Sequence, residues 1–316
     1  MGLNVFDKNA GFAAEQAQVL GFDKDTGIDS RVYGAPGGRV FYVDPNNTQA
    51  TDLGNLGQDP TVPLATMAAA VALCGDHQGD TISVGGNDAW QYAPHNRTTA
   101  IVESLVIPYT KGGIRIVGRS TNPLGVQWEP ADDNEACITV HAIDVLIEGF
   151  SFTVDTTTGN TGIHAEWGTT AFDYGENLTV RGCFFYDLDY GITLDFSWYA
   201  QIYGNSFDTI ATGAIVNTSV TGDAEYLAIH DNSFILCDLA ISLQDSDYNF
   251  IYNNRINGDA TGTNNFIDLT GGSGSMVSDN FLACSIAQYD VTCSDATSGA
   301  WIANHCIDAD TTANPV

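Results

Sequence analysis

Positive charge is what this sequence has least of: ten Lys and Arg stand against 39 Asp and Glu, for a formal net charge of -29. A surface this anionic repels phosphate and anionic lipid over long range, which excludes nucleic acid and acidic membranes as ordinary partners. No stretch approaches the roughly 18 apolar residues of a membrane span. The opening residues MGLNVFDKNAGF lack the basic segment and apolar core of a secretion signal. The expectation is a chain with no membrane insertion and no recognisable signal. There is no CxxC pair, and Cys74, Cys137, Cys183, Cys237, Cys284, Cys293 and Cys306 are odd in number and mostly sit in apolar runs. They are expected as buried thiols rather than disulfides or zinc ligands. Phosphate-loop, HExxH and GxSxG patterns are missing too.

What is present is a repeat. With 44% hydrophobic and 16% charged residues the 316-residue chain has ample material for a folded core. The segment AIHDNSF (228–234) lines up with LIEGFSF (146–152), TVRGCFF (179–185), QIYGNSF (201–207), FIYNNRI (250–256), MVSDNFL (276–282) and WIANHCI (301–307). The second position is always Ile or Val, at 147, 180, 202, 229, 251, 277 and 302, and a further short apolar run follows in at least five turns. Coils of 22 or more residues holding several short strands are the rungs of a parallel β-helix. GIRIVGR (113–119) and DTISVGG (80–86) extend the series backward to about nine rungs, a rod roughly 40 Å long at about 4.8 Å per rung.

The columns assign roles. Gly149, Gly182, Gly204, Asp231, Asn253, Asp279 and Asn304 share a position where left-handed backbone is tolerated, which predicts a tight corner. Asn205, Asn232, Asn254 and Asn280 follow and are expected to bond to one another along the axis. His230 is expected to point outward, in a column with Glu148, Arg181, Tyr203, Tyr252, Ser278 and Ala303. A second outward column runs through Phe250, Met276 and Trp301. Tyr203, His230, Phe250, Tyr252, Met276 and Trp301 are therefore the candidates for a subunit interface or a sugar platform.

The run GRVFYVDPNNTQATDLGNLGQDPTVPLATMAAAVALCGDHQGDTISVGG (38–86), with the rungs that follow, resembles the opening of pectate-lyase-like right-handed β-helix proteins over residues 38 to 310. The resemblance implies an all-β, right-handed, single-stranded parallel β-helix with a short capping helix near 63–75 and an extended arm before it. It also implies a choice of roles, since that scaffold serves polysaccharide lyases, hydrolases, phage tailspikes and virion decoration proteins. The expected organisation is an anchoring arm (1–37), first strand and capping helix (38–79), β-helix (80–308) and polar tail (309–316).

A polyuronate lyase needs cations for the uronate carboxylate, and beyond residue 119 only Arg181 and Arg255 are basic, in different columns. A glycosidase needs two carboxylates at a set separation. Asp189 and Asp238 fall at equivalent offsets two rungs apart, with Asp187 and His230 as accessories. DKDTGID (23–29) resembles a calcium loop but has Gly27 one place early and Gly34 at the twelfth position, so no cofactor or metal is assigned beyond weak calcium binding. The expected function is a non-enzymatic virion surface component, decoration or spike, anchored to a capsid or other virion protein by residues 1–37 and self-associating as a homotrimer. The alternative is a carbohydrate-binding or carbohydrate-degrading β-helix, extracellular by another route, with a glycan as its partner.

Overall fold

The computed structural model describes residues 38–85, 100–119, 126–154, 159–167, 175–218, 224–257, 266–283, 293–294, 300–306 and 311–312. The arm expected over 1–37 and most of the tail lie outside them. The described strands form three sheets of ten, ten and eight strands. Every pairing is parallel except the last, in which 305–306 meets 311–312 antiparallel. This is a right-handed parallel β-helix. The ten-stranded sheet 1 begins with Val40–Val43 and then takes one strand from each of nine rungs.

One rung shows the plan. Leu146–Glu148 lies in sheet 1, Ser151–Thr153 in sheet 2 and Thr161–Ala165 in sheet 3. The repeated seven-residue motif is thus two strands bent at its fourth residue. The bend is left-handed in each: φ is 81° at Gly149, 60° at Gly182, 65° at Gly204, 55° at Asp231 and Asn253, and 57° at Asp279. Gly, Asn and Asp occupy it because they adopt that conformation at least cost.

Inside the bend runs a column of buried asparagines. The Asn205 side-chain amide donates to Asn232 Oδ1 (3.1 Å), Asn232 to Asn254 (3.1 Å), Asn254 to Asn280 (3.0 Å) and Asn280 to Asn304 (2.9 Å). Each Oδ1 also accepts the backbone N–H of the Asn on the preceding rung, and each amide also donates to a carbonyl of the sheet-1 strand one rung back, as Asn254 does to Ile229 O. Polar groups with no access to water are thereby satisfied along the axis.

The column corrects the last rung. Asn304 belongs to the ladder, so the left-handed corner there is Ala303 (φ 55°), and Trp301 pairs with Val277. Trp301 is therefore turned into the core at 8% exposure, while Ile302, expected inside, is 52% exposed. The physical reason is that the three buried bonds of the Asn304 side chain outrank the preference for Ile over Trp at an inward position, and a slip of one residue exchanges inside for outside.

The core is columnar as well. Sheet 1 contributes Ile82, Ile116, Ile147, Val180, Ile202, Ile229, Ile251 and Val277, all fully buried. Sheet 2 contributes the stacked rings of Phe152, Phe185, Phe207 and Phe234, with centroids 5.0, 4.6 and 4.9 Å apart. The N-terminal end is closed by the helix Met67–Leu73, which starts at Thr66 and buries Met67, Ala70 and Val71. The carboxylate of Glu103 accepts the N–H groups of Met67 and Ala68, an acid where the helix dipole favours one. Asp80, 1% exposed, ties this end together: it accepts from Arg39 N (2.6 Å), Arg39 Nη2 (3.0 Å) and Gly75 N (2.6 Å).

Two outcomes follow from these bonds. Asn254→Ala removes the partners of the Asn232 N–H and amide and of the Ile229 carbonyl, at about 1–3 kcal/mol for each buried group left unpaired. Urea unfolding should begin at distinctly lower concentration than for wild type, whereas Asn257→Ala, at an exposed position, should leave it unchanged. Burial works to raise the Asp80 carboxyl, but the bonds from Arg39 and Gly75 outweigh it and hold the group below its ordinary range. A carboxylate with a depressed folded-state pKa stabilises the fold above its unfolded value near 4 and loses that contribution as pH falls through the folded one. The Tm of wild type should therefore fall on acidification below about pH 4 by more than that of Asp80→Asn, as read by circular dichroism.

Candidate functional site

The outer face of sheet 1 is built by strands Gln201–Tyr203, Ala228–His230, Phe250–Tyr252 and Met276–Ser278, whose middle residues point inward. The flanking residues point out and stack rung on rung. The Tyr203, His230 and Tyr252 rings lie almost parallel, with centroids 5.0 and 4.6 Å apart. Beside them Phe250 is 46% exposed. The stack is pinned at one end by Arg181, which donates to Tyr203 Oη (3.1 Å) and to Glu148 Oε2 (2.7 Å). It is pinned in the middle by Asp231, whose Oδ2 lies 2.7 Å from His230 Nδ1. Asp231 thus turns the corner and holds the imidazole flat between two tyrosines.

A second aromatic column was not anticipated. Two residues before each sheet-1 strand the chain again turns through left-handed backbone, at Asp144, Asn177, Tyr199, Tyr226, Tyr248 and Gly274. The outer members are residue types suited to the bend. The three in the middle are tyrosines at φ 59°, 56° and 57°, exposed by 51%, 41% and 45%, with ring centroids 5.2 Å apart in both steps. Left-handed backbone costs a bulky residue of order 1–3 kcal/mol, so the turn itself does not select tyrosine. The pattern could be read from WYAQI, EYLAI and DYNFI had the residues ahead of each strand been aligned.

Of the platform candidates, Tyr203, His230, Phe250, Tyr252 and Met276 lie on this face. Trp301 does not, for it is buried, and Ala300 takes the outward place in register with Met276. The aspartates lie elsewhere. Asp187 sits in a left-handed turn (φ 55°). Asp189, Ala211 and Asp238 stack beyond the far end of sheet 2, linked by Ala211 N to Leu188 O (2.9 Å) and Asp238 N to Ile210 O (3.0 Å). The Asp189 carboxylate accepts the Gly159 N–H, and Asp238 is exposed. His230, on sheet 1, is not part of that stack.

Sheet 3 carries a row that was also missed. Placing ACITVH (136–141) over TGIHAE (161–166) and YGITLD (190–195) follows the observed register and aligns His141, Glu166 and Asp195. His141 Nε2 lies 3.0 Å from Glu166 Oε1, His164 Nδ1 lies 3.6 Å from Glu166 Oε2, and His164 Nε2 lies 3.1 Å from Asp195 Oδ2. Thr218 donates to both oxygens of Asp195 through its N–H (2.8 Å) and hydroxyl (2.7 Å). Burial works to raise the Asp195 carboxyl, but the bonds from His164 and Thr218 prevail and keep it below the ordinary range.

Residues 133–307 match the family model described as periplasmic copper-binding protein (NosD). Among solved structures the chain is similar to a GH136 lacto-N-biosidase from Eubacterium ramulus, a selenomethionine derivative, with 11% identity and a TM-score of 0.42. That similarity covers 79% of this chain and 58% of that one, so the chain spans under two thirds of the enzyme's length. No curated protein matches.

The family description raises the question of copper. Cys74, Cys137, Cys183 and Cys237 are buried, and burial pushes the thiols of Cys74, Cys183 and Cys237 up to about 12, so these sulfurs are poor ligands for copper(I). Imidazole with carboxylate is a donor set suited to copper(II), and the sheet-3 row has it. Among the described residues no three such side chains stand ready around one point, because those of the row are closed on each other by hydrogen bonds.

The tyrosine column gives its own outcome. Tyr226→Asn trades ring stacking worth about 0.5–1.5 kcal/mol against relief of left-handed strain, so its urea unfolding should match wild type to within about 1 kcal/mol.

Proposed function

The chain belongs to the NosD family, and from that premise we propose that it is a non-enzymatic interaction protein whose docking surface is the outer face of sheet 1. One observation carries this reading. Over four rungs the outward residues are Gln201, Tyr203, Ala228, His230, Phe250, Tyr252, Met276 and Ser278, with no carboxylate among them in a chain that has 39. Depletion of charge with enrichment of Tyr, Phe and Met is the composition of an interface core, where desolvation costs least. The ordered stack lowers the entropy lost on binding, because its rings are already held by neighbours.

The rings favour a protein over a sugar as occupant. A sugar packs against an aromatic face, yet both faces of His230 and of Tyr226 are covered by neighbouring rings at 4.6 to 5.2 Å, and each remaining ring of the two stacks has one face covered. Edges, with Phe250 between the two columns, suit interdigitation with another side-chain surface. A second and third copy of the rod provide one, since like-charged copies repel everywhere except across this face, and three side by side bury it around a common axis.

An extracytoplasmic place is supported by the word periplasmic in the family's description. The virion-surface reading, with residues 1–37 as anchor to a capsid protein, rests on analogy of fold and calls for the same docking face.

Light scattering on the full chain tests the proposal. Wild type should run as a trimer and the double variant Phe250→Ser, Tyr252→Ser as a folded monomer. A monomeric wild type, or trimers that survive the substitutions, would place the contact elsewhere. Glycan cleavage by wild type that Asp189→Asn and Asp238→Asn abolish would overturn the non-enzymatic reading.

A further inference from the structure

Sheet 3 supports an inference independent of the docking face. We propose that His164, Glu166 and Thr193, beside Trp167, form a binding site for a primary alkylammonium group, with Asp195 fixing the tautomer of the imidazole.

Protons decide what this place lacks. A carboxylate only accepts, so the 3.1 Å contact between His164 Nε2 and Asp195 Oδ2 puts a hydrogen on Nε2. Thr218 secures that assignment by donating to both Asp195 oxygens through its N–H and hydroxyl. A neutral His164 then carries its lone pair on Nδ1, which faces Glu166 Oε2 at 3.6 Å. The oxygen of Glu166 that meets His141 is the other one. Nδ1 and Oε2 are thus two acceptors turned toward each other, with no donor between them among the described residues. Thr193 adds a third. It lies in register with His164 on the adjoining strand, between the buried Ile192 and Leu194, so its side chain shares the outward face. The residue is 4% exposed and its hydroxyl makes no hydrogen bond. Native folds leave few buried groups in that state, and each asks for a reason. Three acceptors on one face match the three N–H donors of a primary ammonium.

A second proton on the imidazole is the competing remedy. It would draw Nδ1 and Oε2 to the roughly 2.7–2.9 Å of a charge-assisted bond, whereas they stand at 3.6 Å, and it would leave Thr193 as it is. The neighbouring rings suit the rest of the ligand. Glu166 and Trp167 on one rung lie over Asp195 and Phe196 on the next, an acid followed by an aromatic in each. Trp167 packs against Phe196 with ring centroids 4.9 Å apart and planes at 80°, which holds the indole in place while 43% of the residue stays exposed. An indole face attracts a cation and covers the methylenes that carry it. Side-chain exposures of 27% for His164 and 37% for Glu166 leave an approach from solution. A chain of net charge -29 draws cations toward it over long range.

The full chain is titrated at neutral pH and low ionic strength by calorimetry. The probes are n-butylammonium, standing for a free amine, and Nα-acetyl-lysine amide, standing for a side chain of a protein. Both should bind at one equivalent, and the tighter of the two identifies the source of the ammonium. Tetramethylammonium has the charge but no N–H, and should bind at least about tenfold more weakly than n-butylammonium. Glu166→Gln keeps the shape and the acceptor toward His141, so a variant with wild-type circular dichroism that has lost binding supports the site. Trp167→Ala should weaken binding by about 2–30-fold. Asp279→Asn removes an exposed acid at a distant corner and should bind as wild type does. Nitrogen NMR shifts of the free chain should show His164 neutral, with its hydrogen on Nε2. The proposal is overturned by a wild type that binds neither amine, by tetramethylammonium that binds as well as n-butylammonium, by unchanged affinity in Glu166→Gln, or by an imidazolium at His164 in the free chain.

Discussion

Register at the corner between sheets 1 and 2 is the constraint on which the rest depends. Parallel backbone pairing alone would accept a slip of one residue with the same number of hydrogen bonds. The buried asparagines would not, because each Oδ1 receives both an amide and a backbone N–H from the rung before. Shifting one rung would set an amide against an aliphatic side chain and leave those donors unpaired without access to water. The last described rung shows how strongly this governs, since Trp301 is drawn into the core and Ile302 put into water so that Asn304 can meet Asn280.

Fixed register turns every position into a column, and a column magnifies whatever it holds. Alike rings become stacks, as in the phenylalanines within and the tyrosines without. Like charges would become a repulsive file at about 4.8 Å, and a chain with 39 acids has to avoid that. At the corner Asp231 and Asp279 are separated by Asn253, and beyond sheet 2 Asp189 and Asp238 are separated by Ala211. Glu166 and Asp195 do adjoin, and there His164 stands with a ring nitrogen toward each. The imidazole is thus required by the same stacking that brings the carboxylates together.

The period, the strand types, the inward column and the number of rungs were legible because a solenoid repeats its constraints in sequence. The corner was legible for the same reason, through Gly, Asp and Asn. What was not legible depended on the loops. Spacing between successive motifs varies widely, so an alignment anchored on sheet 1 loses its frame before sheet 3, and His141, His164, Glu166 and Asp195 were never placed side by side. The pattern misplaces Trp301 because Ile302 fits the Ile or Val anchor, although Asn304, three residues after Trp301, matches Asn280 and fixes the frame. The tyrosine column fell outside the quoted motif by two residues.

The two surfaces differ in what holds them. The sheet-1 face is held on its outside by ring stacking and by the bonds of Arg181 to Tyr203 and of Asp231 to His230, and three of its tyrosines occupy backbone that would relax with Asn or Gly. In a solenoid each rung answers mainly to its neighbours, so such residues can be exchanged without loss of the rod. The sheet-3 row is different, since His164 contacts Glu166 within its own rung and Asp195 in the next, and Thr218 reaches back from the one after. Exchange of any member removes a contact made with a neighbouring rung. A face kept against the preference of its backbone points to selection by something outside the molecule, whereas the row already answers a need within it, since stacking brings Glu166 and Asp195 onto adjoining rungs and His164 stands between them.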